Sequence, residues 1–302
     1  MPSKQALEVK QHWETMAALG QTLPLDEQRD LIEKEWPKLT GEPRGVDFAE
    51  VDVDGLTAMW ITPKGAAEDR TILAIHGGGY VSGSIYTHRK MFGHLAKAAG
   101  CRALSIEYRR TPEHVHPAAI DDVFGAYRWI LRHGLEPRKV AFVGDSCGGG
   151  LALSALLRAR DEKLPLPAGA MALSAWVDMT VSGETFQSNR DKDLFFRREV
   201  VGGLVQMLLG PSGDRRDPRC SPLFGDLKGL PPIYLQVGAD EALLDESRRF
   251  AQEAKSAGVD VLLDIFPDML HTFQMTAGRA PEADDAIRRL ATWVRPRLGL
   301  DP

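Results

Sequence analysis

The sequence predicts an α/β fold, a mainly parallel sheet of about eight strands with helices on both faces. Three observations predict it. Short apolar runs alternate strictly with longer segments of helical spacing, a pattern that needs crossover helices and therefore parallel strands. Ahead of them, Phe48 to Val53, the turn dipeptide Asp54-Gly55 and Leu56 to Ile61 read as an antiparallel hairpin. Finally, 302 residues with 43% hydrophobic, 26% charged and 7% aromatic content match a soluble globular chain with a large core, which excludes disordered and fibrous classes.

In chain order, the first 40 or so residues stand apart. Trp13, Met16, Leu19, Leu23, Leu31 and Trp36 recur among charges at helical spacing, predicting amphipathic helices broken near Pro24 and Pro37 that pack onto the body and cover part of it. After the hairpin, strands are expected at Thr71–Ile75, Ala103–Ile106, Val140–Val143, Ala170–Leu173, Ile233–Val237 and Val261–Phe266. The intervening helices are expected near Arg89–Ala99, Ala118–His133, Gly149–Arg160, Asp245–Ala257 and Ala283–Leu298. One interval breaks the rhythm: about 60 residues separate Leu173 from Ile233 and hold a helical stretch, Phe196–Leu209. It reads as an insertion over the carboxyl edge of the sheet, where open α/β folds bind ligands.

Lys and Arg number 37 against 42 Asp and Glu, a net charge of −5 with no basic block at either end, which argues against a nucleic-acid partner. The three cysteines, Cys101, Cys147 and Cys220, are an odd, widely spaced set without a CxxC pair, as expected of a reducing, cytoplasmic compartment. Met1 to Gly20 carries Lys4, Glu8, Lys10 and Glu14 and lacks the apolar run of a secretory signal. The longest nearly apolar stretch, Val200–Leu209, is far short of the roughly 20 residues that span a bilayer, so no membrane span is expected.

Chemistry concentrates at three places. Gly144-Asp145-Ser146-Cys147-Gly148-Gly149 lies between a predicted strand and a helix, the context that gives G-x-S-x-G its meaning. A serine on such a sharp turn is lifted clear of the sheet at a helix N-terminus, which favours developing anions. His76-Gly77-Gly78-Gly79 follows the strand Thr71–Ile75, and consecutive glycines let backbone N–H groups converge on an oxyanion. No G-x-x-x-x-G-K-[ST] accompanies them, which weighs against a phosphate cradle, and His76, ending a buried strand, is expected to orient the loop. In folds of this kind the partners of the serine follow it as acid and then histidine; of eight histidines only His271 lies beyond Ser146, on the loop after Val261–Phe266. His114 and His116 lack a third ligand nearby, so no metal is expected there.

With H-G-G-G and G-D-S-x-G-G in place, the chain resembles the hormone-sensitive-lipase-like bacterial esterases of the α/β-hydrolase fold, from about Val46 to the C-terminus. Glu107-Tyr108-Arg109-Arg110-Thr111-Pro112-Glu113 is similar to that family's Y-R-L-A-P-E and is taken as structural. The resemblance implies one catalytic domain over 1–302, with a helical cap from 1–45 and about 181–209. It implies a serine carboxylesterase for short- to medium-chain esters, needing no cofactor, and a homodimer through the last strand or helix. Cys147 stands where the family has alanine; its backbone N–H would still join those of Gly78 and Gly79 in the oxyanion hole. Aligning the family's D-P-L-x-D on Leu243 and Asp245 places Glu241 at the acid position, with Asp240 the rival and Asp245 left to the helix start. Trp13, Phe186, Phe195, Phe196, Met207 and Leu208 are the expected pocket linings. Lactone or amide hydrolysis by the same triad, and a non-catalytic ligand receptor on this fold, are the alternatives.

Overall fold

The structure, a computed structural model, describes residues 2–20, 22–193 and 195–301; positions 1, 21 and 194 of the expected cap segments, and position 302, lie outside the described residues. Eight strands form one sheet: β1 (Val46–Val53), β2 (Leu56–Pro63), β3 (Ala67–Ile75), β4 (Cys101–Ile106), β5 (Val140–Asp145), β6 (Gly169–Leu173), β7 (Ile233–Gly238) and β8 (Val261–Phe266). Their spatial order is β1-β2-β4-β3-β5-β6-β7-β8. β1 and β2 pair antiparallel around Asp54 and Gly55, both with positive φ of 54° and 85°, the conformation a tight primed hairpin turn requires. β2 is antiparallel to β4, and all later pairings are parallel. β3 starts earlier than the apolar run because a bulge between Ala67 and Thr71 carries polar residues into the strand.

Burial alternates along β3: Leu73 and Ile75 enter the core on one face, Ile72 and Ala74 the core on the other. The first face is covered by α4 (Ala118–Arg132), α5 (Cys147–Asp161) and α8 (Leu244–Ser256), the second by α3 (Ile85–Ala99) and α9 (Pro281–Arg297). Helix α3 begins a turn before the expected position because Ser84 and Thr87 form a reciprocal capping box. At the amino end, α1 (Lys4–Gly20) and α2 (Leu25–Glu35) are separated by Pro24, and Trp13, Met16 and Trp36 bury against the second core. The insertion between β6 and β7 contains α6 (Thr185–Ser188) and α7 (Arg198–Leu209). Among the described residues no helix is long and apolar enough to cross a membrane.

This strand order positions the site. The chain runs outward from β3 to β4 and then returns past β3 to β5, so the loops leaving β3 and β5 flank the reversal, where the crevice of an open α/β sheet lies. Ile75 is paired with Gly144, which sets the glycine loop beside the serine turn.

Candidate active site

Ser146 alone makes the turn from β5 to α5, at φ 54° and ψ −124°, a region that costs a non-glycine residue about 1–3 kcal/mol. The surroundings hold it there. Ser146 N–H donates to the Leu173 carbonyl at 2.8 Å, and its own carbonyl accepts from Trp176 N–H at 2.9 Å and Gly150 N–H at 3.2 Å. A Cβ on Gly144 would stand 2.2 Å from the Gly148 carbonyl oxygen, and one on Gly148 2.2 Å from that of Ile75, so the chains cross only because both are glycine.

Beside it, Gly78 and Gly79 have φ of 120° and 63° and line the same cleft as Ser146. The loop is fixed from beneath. Asp145 Oδ1 accepts from Gly77 N–H at 3.0 Å and its Oδ2 lies 3.3 Å from His88 Nε2. The His76 ring stacks on Tyr108 at 4.2 Å, and Tyr108 donates to the His76 carbonyl at 3.0 Å. Burial pushes the His76 imidazole well below its usual range, so it is neutral. Cys147 Sγ accepts from Tyr80 N–H at 3.3 Å, and burial pushes its thiol up to about 11, leaving it protonated at neutral pH. Its side chain thus braces the loop, and its backbone N–H opens α5 next to Ser146.

His271 follows β8 and Glu241 follows β7. Glu241 is fully buried; its Oε2 lies 2.9 Å from His271 Nδ1, and its Oε1 accepts from Ser174 Oγ at 2.8 Å and from Gly238 N–H. Asp240, next in sequence, points away and meets Lys192 Nζ at 2.7 Å. With Nδ1 engaged by a carboxylate, His271 presents Nε2 as the free nitrogen, and that atom is buried with no hydrogen-bond partner among the described residues. Ser146 and His271 line one cleft, with no hydrogen bond between Ser146 and His271 Nε2. Ser174 was not singled out by sequence: besides holding Glu241, its hydroxyl accepts from Thr272 N–H at 3.1 Å. The available signal was a serine directly at the carboxyl end of the apolar strand β6, beside the strand that carries the acid.

The cleft has a volume of about 120 Å³. Trp13, Phe195 and Phe196 line it, joined by Trp36, Ile32, Leu204 and Met275. The other three expected linings lie elsewhere. Phe186 is buried in the body core with the Arg198 guanidinium over its ring. Leu208 shares its helical face with Val201 and Val205 and is buried in the body core. Met207 is on the same stripe as Val200 and Leu204 but a turn or more beyond the cleft, where its side chain is exposed and its carbonyl accepts from Thr111. No cluster of three or more metal-binding side chains occurs among the described residues, and His116 is paired with Asp217 at 3.1 Å.

A sequence profile described as the alpha/beta hydrolase fold matches residues 72–275. An acetyl-hydrolase of Streptomyces hygroscopicus is 36% identical over 90% of this chain and 96% of its own length, and an esterase of Acinetobacter venetianus is 36% identical over 76% of each. Among solved structures, an esterase from the bacterial hormone-sensitive lipase family superposes with a TM-score of 0.94 at 39% identity, over 99% of this chain and 100% of that one. An esterase/lipase from an uncultured bacterium does so with a TM-score of 0.92 at 36% identity, over 98% and 99%. With the strained serine, the glycine loop and the carboxylate-bound histidine at one sheet edge, these matches assign the chain to the α/β-hydrolase fold family, in its bacterial hormone-sensitive-lipase group of esterases.

Proposed function

We propose that this carboxylic ester hydrolase acts as a serine esterase on neutral, short- to medium-chain esters through an acyl-enzyme. The observation that carries the reading is the 2.9 Å contact of Glu241 Oε2 with His271 Nδ1 at the sheet edge that holds Ser146 in its strained turn. It fixes the tautomer in which Nε2 accepts the proton of the Ser146 hydroxyl as its oxygen attacks the ester carbonyl. The electron pair pushed onto the carbonyl oxygen stays there as an oxyanion, stabilised by hydrogen bonds donated by the N–H groups of Gly78, Gly79 and Cys147. Collapse of the tetrahedral species expels the alcohol, protonated by His271, and water then releases the acid by the same steps. Glu241 stabilises the imidazolium through its contact with Nδ1, while Asp240 is held by Lys192 away from the ring.

The aromatic and aliphatic walls favour a neutral acyl or alcohol group, since Asp145 at the cleft floor is engaged by Gly77. Short acyl groups agree with the relatives named acetyl-hydrolase and ethyl acetate hydrolase.

The test is stoichiometric labelling of Ser146 by an organophosphonate, with kcat measured for Glu241→Gln and Asp240→Asn. Glu241→Gln is expected to lower kcat by about 10³–10⁴-fold, and Asp240→Asn by no more than about twofold. Loss confined to the Asp240 variant would overturn the assignment of the acid. On matched ester, lactone and amide substrates kcat/KM should be highest for the ester; preference for the amide would change the reaction class.

A further inference from the structure

Three side chains of the insertion, Thr185, Asn189 and Asp193, follow one another a helical turn apart and are each at least nine-tenths buried. Each makes at least one hydrogen bond to the backbone around Glu241. Thr185 Oγ1 donates to the Ala242 carbonyl at 2.6 Å and accepts from Asp245 N–H at 3.0 Å. Asn189 Nδ2 donates to the carbonyls of Ala239, at 3.0 Å, and of Glu241, at 2.9 Å. Asp193 is the branch point. Its Oδ2 accepts from Ala242 N–H at 2.9 Å, the peptide directly after the acid, while its Oδ1 accepts from Phe195 N–H at 3.2 Å and Phe196 N–H at 3.0 Å. The Phe196 ring in turn lies 4.0 Å from the His271 imidazole. One buried carboxylate therefore ties the ring that covers the base to the backbone that aims the acid.

We propose that Asp193 is a positioning residue of the reaction, coupling closure of the cap over His271 to alignment of Glu241, so that the two occur together. This rests on the triad reading above. A carboxylate suits the task because it accepts at both oxygens; asparagine would turn an amide N–H₂ against one of the two sets of N–H groups and break that arm. The misalignment expected on losing it is a fraction of an ångström to an ångström, the range in which positional errors cost large factors in rate.

The experiment measures the rate of Ser146 phosphonylation and kcat/KM per titrated active site for Asp193→Ala and Asp193→Asn. Each variant is made in the native background and in the Glu241→Gln background. In the native background Asp193→Ala is expected to lower both rates by about tenfold or more, with kcat falling further than KM changes and Asp193→Asn intermediate. With the acid already removed, the same substitution is expected to cost less than about twofold, because its target is gone. A residue that merely supports folding would lower the rates equally in both backgrounds, and that result, or an unchanged rate in folded Asp193→Ala, overturns the proposal. If Asp193→Ala does not fold, Asp193→Asn, of equal volume, carries the same comparison. Full activity in Glu241→Gln alone would instead overturn the triad reading and is distinguishable from either result.

Discussion

Gly148, Gly149 and Gly150 open α5, and Gly202 and Gly203 sit in the middle of α7; the space around the two sets differs completely. A Cβ on Gly148 or Gly150 would lie 2.2 Å or 2.1 Å from a backbone carbonyl oxygen, and one on Gly149 2.9 Å from the Ala175 methyl. A Cβ on Gly202 or Gly203 would meet nothing within 4 Å. In α5 glycine is demanded by packing, because the serine turn, the glycine loop and the strand β3 cross at backbone contact. In α7 no contact demands it, and each glycine lowers the stability of the helix by about 0.5–1 kcal/mol relative to alanine. The machinery around Ser146 is built without slack, whereas the cap helix over it is held less firmly than its sequence positions would allow.

The most severe way to break this comparison is Gly148→Ala. The new methyl must displace the carbonyls of Ile75 and His76, the residues that lead into the oxyanion loop. Overpacking against backbone costs about 1–3 kcal/mol or more, and displacing the loop by an ångström costs on the order of 100-fold in rate. We expect kcat/KM to fall by at least about 100-fold with a lowered Tm; retention within tenfold would show that the crossing has room to yield.

The cap side is probed by Leu204→Ala. Leu204 leans over Gly79, its Cδ1 lying 2.9 Å from where a Gly79 Cβ would be, and it forms part of the cleft wall. Shortening it enlarges the cleft without touching the serine turn. The ratio of kcat/KM for hexanoate over acetate esters is expected to rise by about tenfold, the scale set by one or two buried methylenes. No change in the ratio would place the acyl chain elsewhere.

How far the sequence could be read follows the same division. The positions of Ser146, the glycine loop and His271 were legible because each is imposed by local backbone: a strand, a turn that only small residues permit, and a loop at the sheet edge. Glu241 was favoured over Asp240 only through the register of Leu243 and Asp245 on the resembled family's D-P-L-x-D; the two side chains diverge, Glu241 to His271 and Asp240 to Lys192. The strand order, with β3 and β4 exchanged relative to the chain, is invisible to alternation, which gives the same pattern for either arrangement. The pocket was least legible. Whether Leu204 or Leu208 faces the substrate depends on how α7 is rotated on the body, and both lie on apolar stripes of the same helix. Trp36 reads as packing until α2 and the turn after it are docked beside the cleft.

Lack of slack in the body extends to charge. Glu246, on α8, is fully buried; its Oε2 accepts from Val177 N–H at 2.9 Å and Asp178 N–H at 3.1 Å, while its Oε1 has no partner among the described residues. Burial holds its carboxyl well above the usual 4.5, with the neighbouring Asp178 adding to the effect. Folding therefore takes up a proton: the contribution to stability is fully present below pH 4.5 and is lost as pH rises from there through the folded value. As pH rises above 4.5, native protein should lose stability relative to Glu246→Gln in urea unfolding. A parallel pH dependence in the two proteins would show that Glu246 ionises within the fold.

The smallest effect tests the cap glycines directly. Alanine fits at positions 202 and 203 without contact, so each substitution should stabilise α7 by about 0.5–1 kcal/mol through the backbone alone. If α7 unfolds only with the whole chain, that gain appears as a rise in Tm. If α7 yields separately, Tm changes little and the gain appears as slower amide exchange within Arg198–Leu209. The second outcome is expected, because the helix covers the cleft through Val200 and Leu204 and substrate must pass that wall. It carries a kinetic consequence that separates it from simple stabilisation. Acetate esters should be turned over at close to the native rate, while kcat/KM for esters with bulky alcohols falls by about two- to threefold, since entry of the larger substrate requires more of the helix to give way. Equal changes for both substrates would show that the glycines influence the chemistry through the Gly79 contact rather than passage into the cleft.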